Sequence, residues 1–193
     1  CGYCRVCVPS KGSLKPNDYK YYNWMPQDLR KAIATGLQYH AKNKTPINYV
    51  TMAGNGEATL YPWFAEIVDY LIEQKNIYLP DKPTAIFTNA TKINNKNITK
   101  AIYKLDRRFF KLDAGDEKTF QRINSPLDIS YDKLIKNLLS LDNFELSMAI
   151  LNGEISNYNS FFNSKFINTL KKMKFTKIFL YDIDIPKTIS LKL

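Results

Sequence analysis

Three cysteines stand within the first seven residues, Cys1, Cys4 and Cys7, in a C-x2-C-x2-C run. That spacing lets three thiolates wrap one metal cluster, and thiolate sets of this density suit iron–sulfur clusters or zinc. Disulfides fit poorly, because adjacent pairs would close strained small loops and one thiol would be left over. A structural zinc needs a fourth Cys or His, and the single histidine, His40, lies far along the chain. The run therefore points to an iron–sulfur cluster with one open iron, in a reducing compartment. Three buried, unreactive thiols are the plainer alternative.

A second set of chemistry-bearing residues recurs at intervals: Gly54-Asn55-Gly56-Glu57, then Thr88-Asn89, then Asp113-Ala114-Gly115-Asp116, with Asp182 and Asp184 closing the series. Each follows a short apolar run of the kind that forms a buried strand, the runs being 47–53, 84–88, 109–113, 144–150 and 177–182. Between them apolar residues recur at three and four positions, as in Phe64, Ile67, Val68, Leu71 and Ile72. The same helical stripe is carried by Leu29, Ile33 and Leu37, by Ile98, Ile102 and Leu105, and by Tyr131, Leu134, Ile135, Leu138 and Leu139. A last stripe joins Phe162, Phe166, Leu170 and Met173. Pro26, Pro62 and the Ser125-Pro126 pair are read as helix starts, where a missing N–H costs nothing.

Alternation of strand and helix requires crossover connections, so the class is α/β with a parallel sheet. Two architectures satisfy it, an open doubly wound sheet or an incomplete barrel, and in both the carboxyl ends of the strands share one face where distant residues can meet a ligand. Each polar group also has a structural reading: Asn89 can form a turn, and Asp113 or Asp116 can cap the following helix.

At 193 residues, 45% of them hydrophobic, the chain has enough apolar surface for a single core and is expected to be one domain over 1–193. No apolar run reaches the roughly 18 residues of a membrane helix, so a cytoplasmic protein with no membrane partner is expected. The net charge of +10, from 28 basic and 18 acidic residues, favours phosphate-rich partners such as RNA. However, the excess is mostly lysine in a sequence also crowded with Asn, Ile and Tyr, a bias that codon composition explains equally well. The basic run Lys171, Lys172, Lys174 and Lys177 reads as a solvated face ahead of an RNA groove.

Taken in order, Cys1-Gly2-Tyr3-Cys4 and Gly54-Asn55-Gly56-Glu57 resemble the motifs of the radical S-adenosylmethionine (radical SAM) superfamily. The stretches from Ala53 to Pro62, Thr88-Asn89-Ala90, Lys111 to Glu117 and Arg122 to Pro126 are similar to a branch of Fe–S oxidoreductases akin to the wyosine-type tRNA-modifying enzymes. This resemblance implies a partial (β/α)6 TIM-like barrel of parallel strands with its first strand missing, the first cluster cysteine lying four residues before Cys1. It further implies a four-iron four-sulfur cluster on Cys1 and Cys4, with Cys7 a spare thiol or an alternative ligand. S-adenosylmethionine would be bound by Gly54, Asn55, Gly56 and Glu57, the carboxylate taking the methionine amino group. Tyr3 would pack beside the cluster or the adenine, while Asn89 and Asp113 would meet ribose hydroxyls or the methionine carboxylate. Ala58 departs from the proline common at that place, which should loosen the turn.

The implied activity is reductive cleavage of S-adenosylmethionine to a 5′-deoxyadenosyl radical, followed by hydrogen abstraction from a substrate, with electrons from a flavodoxin or ferredoxin. RNA modification, with tRNA as substrate, leads; activation of a protein or peptide competes. A non-catalytic metal- or RNA-binding domain on the same scaffold is the alternative from another class.

Overall fold

The computed structural model describes residues 25–53, 56–126, 129–153 and 156–183. Five parallel strands form one sheet in the order β1-β2-β3-β4-β5: β1 (Val50–Met52), β2 (Thr84–Thr88), β3 (Arg107–Lys111), β4 (Asp142–Leu151) and β5 (Lys174–Ile183). Sequence order without reversal is the winding of a (β/α) barrel, whereas a doubly wound sheet reverses at a switch point. The helices are α1 (Pro26–Lys42), α2 (Phe64–Tyr78), α3 (Lys96–Tyr103), α4 (Glu117–Asn124), α5 (Tyr131–Leu139), α6 (Tyr158–Phe161) and α7 (Ser164–Leu170). Among the described residues, no helix is long and apolar enough to cross a membrane.

The chain divides into two compact units. The first, built from described residues up to Thr88 together with Lys92–Arg108, holds α1, β1, α2, β2 and α3. Its β1 and β2 pair in parallel with Val50 opposite Thr84 and Met52 opposite Ile86. Phe64, Ile67, Val68 and Leu71 form the buried stripe of α2, as their spacing requires. Asn95 caps α3 by accepting from the N–H groups of Asn97 and Ile98. Asp106 accepts from the N–H of Thr84 at 2.7 Å and from its hydroxyl at 2.8 Å. The backbone bond foremost among these holds the Asp106 carboxyl below the usual aspartate range.

The second unit, Asn89–Thr91 with described residues from Phe109 onward, holds β4, β5 and the helices from α4. Alternation along β4 sends Phe144, Leu146 and Met148 to one face, all buried, and Glu145, Ser147 and Ala149 to the other. Its β3 pairs with β4 through Phe109 opposite Glu145 and Lys111 opposite Ser147. Asn157, 1% exposed, binds the loop after β3 to the end of β4: its amide donates to the carbonyls of Asp113 and Ala149 and its oxygen accepts from the N–H of Leu151.

Several expectations need correction. Strand β1 is shorter than 47–53, and β3 begins two residues earlier than expected and ends at Lys111, leaving Asp113 in the following loop. Pro62 precedes α2 by two residues, in a turn. Ser125 closes α4 in a left-handed conformation (φ 44°), while Ser130 caps the next helix. Helix α4 escaped the periodicity reading because its apolar face is only Phe120 and Ile123 beside Thr119. The last stripe is broken into α6 and α7 at Asn163, whose side chain caps Phe166.

Gly115 lies against the backbone of Ser160, where an added Cβ would meet the carbonyl oxygen at 1.9 Å and its carbon at 2.5 Å. Backbone cannot swing aside as a flexible side chain can, so Gly115→Ala is expected to cost about 3 kcal/mol, at the upper end for overpacking, in denaturant unfolding. A loss under about 0.5 kcal/mol, the scatter of ordinary surface substitutions, contradicts that close approach.

Candidate functional site

Glu57 follows β1 at the opening of a short 3-10 turn, Ala58–Leu60. Its Oε1 accepts from the Thr59 N–H at 3.2 Å, from the Thr59 hydroxyl at 2.6 Å and from the Thr88 hydroxyl at 2.6 Å. Thr88 ends β2 and is 2% exposed; Thr59 is equally buried. The parallel register explains the meeting, since Met52 pairs with Ile86 and the two chain ends then leave β1 and β2 side by side. Three donors on one oxygen fix the plane of the carboxylate. The turn after Glu57, expected to be loose because Ala58 stands for proline, is thus held by the glutamate itself. Gly56 has φ 126°, a conformation that residues with a Cβ rarely adopt.

In the other unit, Asn89 accepts from the Thr91 N–H at 3.0 Å, the Asx turn its structural reading anticipates. Asp113 is buried, its side chain 0% exposed. One oxygen accepts from the Ala149 N–H at 2.8 Å and the other lies 3.3 Å from Lys111 Nζ. Lys111 also donates to the Tyr181 hydroxyl. Burial pushes the Lys111 ammonium down, but the Asp113 carboxylate and the Tyr181 hydroxyl outweigh it and hold its pKa above the ordinary lysine value. The two long side chains meet across β4 because the residues opposite them there, Ser147 and Ala149, are small. Asp116, rather than Asp113, is the helix cap, accepting from the Thr119 N–H at 2.7 Å.

Cys1, Tyr3, Cys4, Cys7, Gly54, Asn55 and Asp184 lie outside the described residues. Among the described residues, no group of three or more His, Cys, Asp and Glu could hold a metal ion. Thr59, Lys111, Tyr181 and Asn157 were not singled out in the sequence, and Thr88 only as part of the Thr88-Asn89 pair. Thr88 had a signal in its place at a strand end before Asn89, and Lys111 stood inside a motif already noted. Asn157 had none. Asp182 and the lysines 171, 172, 174 and 177 are exposed.

No protein-family model matches the chain. A UPF0026 protein of Helicobacter pylori is 30% identical over 139 residues, covering 72% of this chain and 41% of the relative. A UPF0026 protein of Methanocaldococcus jannaschii is 27% identical over 147 residues, covering 75% of this chain and 42% of its own length. The chain thus spans less than half the length of these relatives. Among solved structures, TYW1 with a lysine-pyruvate adduct bound is similar at TM-score 0.55 and 17% identity, over 96% of this chain and 61% of that one. In fold the chain is similar to that structure, and in sequence it is similar to the UPF0026 proteins. Both the α/β class and the parallel winding expected from the residues agree with that likeness of fold.

The hydroxyl of Thr88 makes a hydrogen bond to a charged group, worth about 1.5–3 kcal/mol. Thr88→Val, nearly the same shape, should lower unfolding free energy by about that amount in a urea titration. No change would mean that Glu57 is not anchored there.

Proposed function

We propose that this chain is the core of a radical SAM enzyme, in which Glu57 receives the amino group of S-adenosylmethionine. The observation that carries the reading is the fixed Glu57 carboxylate, presented just past a strand end in a chain with this fold and with a thiolate run. A rigid acceptor can direct an ammonium toward one position, whereas a mobile glutamate would first have to be ordered. Cys1 and Cys4 would hold the cluster with a cysteine upstream, Cys7 being the alternative ligand. An all-thiolate donor set is the one such clusters take. When bound, the cluster would supply the electron that splits the sulfonium and starts hydrogen abstraction from a substrate.

Asn89 and Asp113 divide on this reading. The Asn89 side chain, half-buried in its turn, is the better placed of the two to meet a ribose hydroxyl. Asp113 would act indirectly, by holding Lys111 and the end of β4. The net charge of +10 supports tRNA or another RNA as substrate, ahead of a protein or peptide. The electron donor would be a flavodoxin or ferredoxin.

The test uses protein expressed with the residues upstream of Cys1, reconstituted anaerobically with iron and sulfide and given dithionite and S-adenosylmethionine. Formation of 5′-deoxyadenosine is expected. Glu57→Gln keeps an oxygen for the threonines but loses the charge, and should weaken S-adenosylmethionine binding about 10- to 100-fold. Absence of 5′-deoxyadenosine, or a stoichiometric zinc that excludes iron, contradicts the proposal.

A further inference from the structure

Strand β5 has β4 along one side, and among the described residues no strand lies along the other. The register sets Ile178 opposite Leu146 and Leu180 opposite Met148. Leu146 and Met148 are buried, but Ile178 is 38% exposed and Leu180 63%. An apolar row that begins in the core thus runs out bare onto a sheet edge, a combination that proteins cover or blunt. We propose that residues 188–193 fold back along β5 as an antiparallel strand and cover Ile178 and Leu180. The inference does not depend on the radical chemistry proposed above.

Residues 184–193 follow β5 directly and lie outside the described residues. Within them Thr188-Ile189-Ser190-Leu191-Lys192-Leu193 alternates polar and apolar at every position, the period of a strand with one apolar face. Asp184, Ile185, Pro186 and Lys187 separate this run from β5, a usual length for a hairpin loop. Pro186 then falls in the loop, where its missing N–H breaks no ladder. A tighter loop over Ile185 and Pro186 alone would need a positive φ at Ile185, which a β-branched residue avoids.

Counting back from that loop sets Thr188 opposite Ile183, Leu191 opposite Leu180 and Leu193 opposite Ile178. Ile189, Leu191 and Leu193 then share the face of Ile178 and Leu180, and the run 188–193 matches 178–183 in length. Thr188, Ser190 and Lys192 fall on the other face, where Phe179 packs on Phe109 and the Tyr181 hydroxyl accepts from Lys111. Polar side chains suit that face, since an ammonium already lies on it. A second copy of the chain could add its own β5 to the same edge, but the two compete unequally. Tethered through a short loop, 188–193 meets β5 at an effective concentration on the order of millimolar, well above a roughly micromolar second copy.

Hydrogen exchange of the protein, read by mass spectrometry, tests the pairing. The amides of 188–193 are expected to exchange at least about tenfold more slowly than in an unstructured chain. Leu191→Asp puts a charge on the apolar face and should abolish that protection while speeding exchange in β5, whereas Lys192→Thr, on the other face, should leave both stretches as they are. A cysteine pair gives the answer even if Leu191→Asp proves unstable. Leu180→Cys with Leu191→Cys should join within one chain on mild oxidation, and Leu180→Cys with Lys192→Cys, on opposite faces, should not. Absence of protection in 188–193 or of the intrachain bridge overturns the proposal. So does a bridge between the Leu180→Cys sites of two chains, which would assign the edge to a second copy.

Discussion

A carboxylate can direct a charged ligand only if its own rotation is stopped, and in this protein two threonines stop it. Glu57 Oε1 takes hydrogen bonds from Thr59 and Thr88, and Thr88 stands where it does because β1 and β2 are parallel neighbours in a defined register. A slip of one residue in that pairing would turn the Thr88 side chain to the opposite face and release the glutamate. Sheet register and proposed cofactor binding are thus one constraint seen at two scales. The ordering of a glutamate side chain, which otherwise costs up to about 2 kcal/mol, is met within the fold before any ligand arrives.

The same device recurs. Asp106 is held by Thr84 at the start of β2, Asp113 by the Ala149 N–H past the end of β3, and Asp116 by the Thr119 N–H at the head of α4. In each case an acidic side chain satisfies a backbone donor that secondary structure leaves open. Asp113 goes further, since it also neutralises Lys111 in a position where an unpaired ammonium would be costly. Asn157 completes that node with three hydrogen bonds to backbone, and so ties the loop after β3 to the last turn of β4. A part of the asparagine content that composition alone could assign to codon bias is therefore structural, in Asn95, Asn157 and Asn163.

The parallel α/β class was legible because buried strands and amphipathic helices leave different apolar periods, and β2 lies where those periods place it. The ends of β1 and β3 were less legible, as strand limits depend on which neighbour supplies hydrogen bonds. Helix α4 was hidden because so few of its residues are apolar. Glu57 could be singled out from its motif, but its bond with Thr88 arises only when two strands lie together, and Thr59 carried no signal of its own. Asp113 illustrates the converse: an acid after a strand reads as a ligand-binding residue, and only its burial against Ala149 and Lys111 reveals the structural duty.

The most direct test is a crystal structure of the protein, extended upstream of Cys1 and reconstituted anaerobically, with S-adenosylmethionine bound. The account predicts the methionine nitrogen about 3 Å from a Glu57 carboxylate oxygen, within hydrogen-bond distance, with Thr59 and Thr88 still donating to Oε1. S-adenosylmethionine bound with its amino group on other residues, and Glu57 turned away from it, would contradict the account.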